Sequence, residues 1–162
     1  MMKAMLLMMV AFGVGSTIAQ EAPSFTEEEL EKYATVMVWA EVEKGSMTET
    51  YNNWINNDES IEAARFVKLK AAKVDEAKIK ELEATTEEVA AFAKIQASYD
   101  SMTSAFKEVY VGKIKTDIGA GLYNQLRKAM KSDAEIKEQY QTIYDRLLTA
   151  QSTKPEEEES EE

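Results

Sequence analysis

The sequence predicts an all-α protein, an elongated antiparallel bundle of about five helices, two of them about 30 residues long. Three observations carry this. Pro occurs twice and Gly six times in 162 residues, so little interrupts a chain rich in helix-favouring Ala, Glu, Lys and Leu. Thr26 with Glu29, and Thr85 with Glu88, have the spacing of capping boxes, which open helices. Beyond each box apolar residues recur at steps of three and four, the pattern of one seam along a long helix.

The first helix is expected over 27–56. Thr26 and Glu29 satisfy the first free amides, Phe25 and Leu30 can form a hydrophobic staple, and Glu27, Glu28 and Glu29 suit the positive end of the helix dipole. Its seam is Leu30, Tyr33, Met37, Ala40, Met47, Tyr51 and Trp54, with Lys44 in the one polar slot. The phase is kept through Gly45, so this is one helix, with any bend at that glycine. Trp39 lies off the seam. With Val36 and Val42 it widens the buried face towards a third helix, the alternative being an exposed binding patch. Asn56-Asn57-Asp58 ends the helix, and Asp58 is expected to cap the next.

Residues 58–83 are helical by propensity, with a looser stripe of Ile61, Ala64, Leu69, Ala72, Ile79 and Leu82 and a break with a fresh cap at Val74-Asp75. Thr85 opens the long helix of 85–115, whose seam is Val89, Phe92, Ile95, Tyr99, Met102, Phe106 and Val109. That segment is expected to be the central stave. A turn is placed at 115–121, where Gly119 and Gly121 fall, followed by a short helix over 120–131 with Leu122, Tyr123, Leu126 and Met130 inward. Ser132-Asp133-Ala134-Glu135 reads as a third capping box, opening a last helix to Ala150 with Ile136, Tyr140, Ile143 and Leu147 inward.

Both ends read differently. Residues 1–19 hold Lys3, an apolar run from Ala4 to Val14, and small residues leading to Ala19, which fits a signal peptide cut before Gln20. The run is short of the roughly 20 residues that span a bilayer, and no positive cluster follows it. Residues 20–25 are a leader, 26–150 a single helical domain, and 151–162 a disordered acidic tail of six Glu against Lys154. The tail is expected to aid solubility, or else to dock on a basic partner.

Composition excludes much chemistry. Cysteine and histidine are both absent, which removes disulfides, thiolate and imidazole zinc sites, and Ser-His or Cys-His nucleophiles. A net charge of −11 opposes binding to nucleic acid. Arg65, Lys68, Lys70, Lys73, Lys78 and Lys80 make one local basic stretch, read as a solvated helix surface. Ser104-Ala105-Phe106-Lys107 has S-x-x-K spacing but lacks the S-D-N and K-T-G partners, and Phe106 belongs to the seam. Gly119-x-Gly121 lacks a third glycine and a preceding strand, and Asn56-Asn57-Asp58-Glu59 lacks calcium-loop spacing. No catalytic, cofactor or metal residue is assigned.

Phe25-Thr26-Glu27-Glu28-Glu29-Leu30-Glu31-Lys32-Tyr33-Ala34 resembles the opening of domain-of-unknown-function family 4168, small exported bacterial helical proteins. Gly121-Leu122-Tyr123-Asn124 and Ser132-Asp133-Ala134-Glu135-Ile136 resemble its closing segments, although Tyr123-Asn124 follows Gly-Leu directly, unlike the family's spacing. The longer middle resembles the extended Bacteroidetes-like forms. The resemblance implies an exported helical domain and, since the family has no assigned activity, no functional residues. The expected function is therefore non-enzymatic: an accessory or scaffold of the periplasm or exterior that binds an envelope or extracellular protein. A monomer is the expected state, with a homodimer through a leftover seam at 85–115 as its variant. The alternative is a carrier of an apolar small molecule between helices, which would need an internal pocket of at least several hundred Å3.

Overall fold

The computed structural model describes residues 24–72 and 75–152. The expected signal peptide, most of the leader and the tail beyond Ser152 lie outside the described residues. So do Lys73 and Val74.

The chain is all-α, with no strand among the described residues. Six α-helices follow in order: α1 (Glu27–Asn56), α2 (Ala63–Ala72), α3 (Glu76–Glu81), α4 (Thr86–Lys113), α5 (Ala120–Ser132) and α6 (Ala134–Ser152). A π-helical turn, Ile114–Ile118, extends α4. The count exceeds the expected five because Asp75 caps α3 separately, accepting from the Ala77 and Lys78 amides. Both Thr capping boxes form in full: Thr26 Oγ1 accepts from Glu29 N at 3.2 Å and Thr85 Oγ1 from Glu88 N at 3.1 Å, and each glutamate returns to its cap amide at 2.9 Å.

Several local expectations are corrected. Asp58 caps no helix: its Oδ1 accepts from the Ser60 amide in a turn, and α2 begins only at Ala63. Residues 58–62 therefore do not join the helix expected over 58–83. Asp133, not Ser132, caps α6, accepting from Glu135 N and Ile136 N, because the Ser132 hydroxyl donates back to the Lys128 and Ala129 carbonyls. Gln151 and Ser152, assigned to the tail, continue α6. The turn expected at 115–121 is mostly helical. The Gly119 amide donates five residues back to Ile114 O, and the reversal falls on Gly119 alone, at φ +86°.

Two separate cores form. The first joins the N-terminal half of α1 (Leu30, Tyr33, Ala34, Val36) to Ile118, to Leu126 and Ala129 of α5, and to Ile136 and Ile143 of α6. The second joins Tyr51, near the other end of α1, to Ile61, to Phe66 and Leu69 of α2, and to Ala91, Phe92 and Ile95 of α4. Between them no residue of 41–50 or 96–117 is buried. The molecule is two lobes joined by a two-helix neck, where α1 and α4 run antiparallel: Met37 meets Tyr110 while Tyr51 meets Tyr99. Since α1 belongs to both cores and packs on α2, α4, α5 and α6, it is the central stave, not the 85–115 helix.

Seam membership shifts accordingly. Val109, placed inward by periodicity, is 49 % exposed, and Tyr110 turns inward instead. Ala64 is exposed, while Phe66, outside the expected stripe, is among the most buried side chains of the chain.

Candidate functional site

The neck gathers the least ordinary chemistry. Along this pair, α1 presents Trp39 and Val42 one turn apart and α4 presents Phe106 and Val109 at the same spacing. The Trp39 and Phe106 rings stack across the pair, centroids 5.6 Å apart and 13° from parallel. Val42 is 44 % exposed beside them. Of the two readings for Trp39 and its neighbours the structure realises parts of both: Val36 is core, Trp39 is half-buried, and Val42 is out. Two cations frame the stack, Lys113 Nζ at 5.0 Å from the Trp39 ring and Lys44 Nζ at 5.9 Å from that of Phe106. Lys44, the polar slot of the first seam, thus lies over an aromatic face. Lys113 also approaches Asp117 at 3.7 Å.

From this patch aromatic rings continue into the first lobe. Phe106 stacks on Tyr110 at 5.8 Å, and the Tyr110 hydroxyl meets that of Tyr123 at 3.5 Å and Met37 Sδ at 3.6 Å. Tyr123 stacks on Tyr33 at 5.5 Å, Tyr33 meets Tyr140 edge-on at 5.5 Å, and Tyr140 touches Tyr144 at 5.7 Å. Burial pushes the phenols of Tyr33, Tyr110, Tyr140 and Tyr144 above their ordinary pKa. These groups stay protonated at neutral pH.

The second lobe is fastened by charge. Arg65 of α2 donates through Nε and Nη2 to the two Glu88 oxygens at 2.7 and 2.9 Å, and through Nη1 to the Leu82 carbonyl at 3.0 Å. The guanidinium, together with the Thr85 amide, holds the Glu88 carboxyl down to about 2. Of the basic stretch, Arg65 is thus structural. Lys70 stands over the Tyr51 ring at 4.9 Å, and Lys68, Lys78 and Lys80 are exposed.

The motifs tested for catalysis are not assembled. Ser104 Oγ donates to the Asp100 carbonyl at 2.9 Å on an exposed face, and Gly119 supplies the reversal into α5. Among the described residues no three acidic side chains converge to hold a metal, and no helix is long and apolar enough to cross a membrane. The grooves open to solvent. One beside Asn53, Trp54, Lys94 and Ile95 has a volume of about 370 Å3 and an apolar one between Leu69, Ile79, Val89, Phe92 and Ala93 about 230 Å3, either side of the roughly 300 Å3 at which ligand pockets begin.

Compared with known proteins, the chain matches no family model, no curated protein and no solved structure.

Proposed function

We propose that this chain is an exported, non-enzymatic helical protein that works as an accessory or scaffold of the cell envelope by binding a partner protein at its neck. The observation that carries the reading is the patch in which exposed Val42 and Val109 adjoin the half-buried Trp39 and Phe106, between Lys44 and Lys113. An uncovered apolar surface framed by cations suits an amphipathic partner segment that sets apolar side chains on the rings and carboxylates beside the lysines. Export rests on the signal-like residues 1–19 and agrees with the resemblance to family 4168. A monomer is the working state, since α1 already covers the inner face of α4. The carrier alternative is less well supported, because it needs an internal pocket and these grooves open to solvent.

The test uses residues 20–162 as bait on envelope fractions, beside a Val42→Lys, Val109→Lys double variant. Val67→Lys, at an exposed valine away from the neck, serves as control. Capture that the double variant loses and the control keeps, with crosslinks mapping to the neck, is the expected result. Equal capture by all three chains would remove the neck from the account.

A further inference from the structure

The groove beside Trp54 lies in the second lobe, away from the neck patch, and partner binding leaves it unused. Its floor is Trp54, half-buried against the second core, and the buried Ile95. Its two sides come from the antiparallel pair α1 and α4. With Tyr51 beside Tyr99, ring centroids 4.4 Å apart, the register puts Asn53 level with Ser98 and Asn57 level with Lys94. On each side the two residues are one helical turn apart and so share a face. Asp58 follows on the Asn57 side, its Oδ1 held by the Ser60 amide at 2.9 Å.

The side chains around this groove are uncommitted. Those of Asn53, Asn57, Lys94 and Ser98 make no hydrogen bond or ion pair among the described residues, and one oxygen of Asp58 is left over. The two tryptophans differ in the same way. Trp39 stacks on Phe106 and has Lys113 over its ring, whereas no aromatic or cationic group among the described residues meets Trp54. The volume, about 370 Å3, lies within the range of ligand pockets.

We infer that this groove binds one unit of a neutral glycan chain of the β-1,4-linked gluco type. An apolar floor between two polar sides fits a ligand with a flat apolar face and hydroxyls along both edges. A gluco-configured pyranose has that form, because its hydroxyls are equatorial and its ring C–H bonds axial. One face lies on the indole while the edges meet the polar sides. The β-1,4 linkage keeps the chain a flat ribbon, which leaves by the open ends of the groove. The Asn53 and Asn57 amides and the Ser98 hydroxyl both donate and accept, as sugar hydroxyls do, while Asp58 accepts and Lys94 donates.

Other ligand classes fit less well. A phosphate or a sulfated glycan would find one lysine and a carboxylate, in a chain of net charge −11. A metal ion would find one carboxylate. A wholly apolar ligand would take water from the polar side chains and give nothing back. An extended peptide turns its side chains alternately to the two faces, and those facing down need separate pits where this floor offers one flat ring.

The test uses isotope-labelled protein, in which each of the two tryptophans gives one indole N–H signal by NMR, with Trp39→Phe to assign them. Cellohexaose is the probe. Maltohexaose, whose α linkage forbids a flat ribbon, and a Gly-Ser hexapeptide are the comparisons. The expected result is a saturable shift of the Trp54 signal with cellohexaose, an unmoved Trp39 signal, and little shift with either comparison. The double variant Asn57→Ala, Lys94→Ala replaces two exposed side chains. It should lose the shift while helical content and melting stay those of the parent. The neck variant, Val42→Lys with Val109→Lys, should keep the shift, so the two sites fail separately. No saturable shift with cellohexaose, or a full shift in the Asn57→Ala, Lys94→Ala variant, would overturn the site. An equal shift with maltohexaose would overturn the ribbon geometry, and an equal shift with the peptide the choice of a glycan.

Discussion

At the scale of single residues, the neck carries one fault. Thr103 Oγ1 is buried without a hydrogen-bond partner, in a stretch of α4 where no residue is fully buried. An unpaired buried hydroxyl loses its water and gains nothing in return. Thr103→Val keeps the shape and removes that group, and should stabilise the protein by about 1 kcal/mol, read as a higher denaturation midpoint with an unchanged denaturant slope. Glu83 is a second local exception, at φ +50°. It closes α3 in a Schellman turn, in which the Ala84 amide donates to Ile79 O and the Glu83 amide to Lys80 O. The capping threonines were legible in the sequence because a cap is satisfied within four residues. Ser132 misled for the same reason: Asp133 beside it is also a capping residue, and spacing alone does not choose between neighbours.

At the scale of elements, α2 is tied to α4 by the Arg65–Glu88 pair while Glu88 also closes the α4 capping box. One carboxylate therefore serves the start of α4 and the docking of α2. Its pKa falls from the ordinary 4.5 of a free glutamate side chain to about 2 in the fold. A group with a lowered folded pKa stabilises the protein above its unfolded pKa, and that contribution is lost as pH falls towards the folded value. Glu88→Gln should thus melt below the parent at neutral pH, and the difference should narrow between pH 4.5 and about 2. Thermal melts across that range check it, and a constant offset would mean that the charge of Glu88 is not what fastens α2. The pair joins residues 23 apart in the chain, so the sequence showed a capping glutamate and a basic stretch without their union. Phe66 was missed likewise. Its burial depends on Phe92 and Tyr51, rings 5.0 and 5.9 Å away on other helices.

At the scale of the whole molecule, two cores on one continuous α1 predict partly independent opening. Leu126→Ala and Phe66→Ala each empty a buried site and should cost about 2–5 kcal/mol. By hydrogen exchange, Leu126→Ala should expose mainly α5 and α6, and Phe66→Ala mainly α2 and the start of α4. Uniform loss of protection in both variants would mean that the neck couples the lobes fully. The sequence by itself determined the all-α class, the caps at Thr26 and Thr85, and the length and phase of α1, because propensity, capping and 3-4 spacing act within a few residues. Tertiary structure alone decided that α1 rather than α4 is the stave and that the bundle divides into two lobes. It also decided that Val109 turns out while Tyr110 turns in, and that aromatic side chains from four helices meet in one file. Periodicity marks which face of a helix is apolar. Which neighbour covers that face, and over what length, depends on every other helix at once.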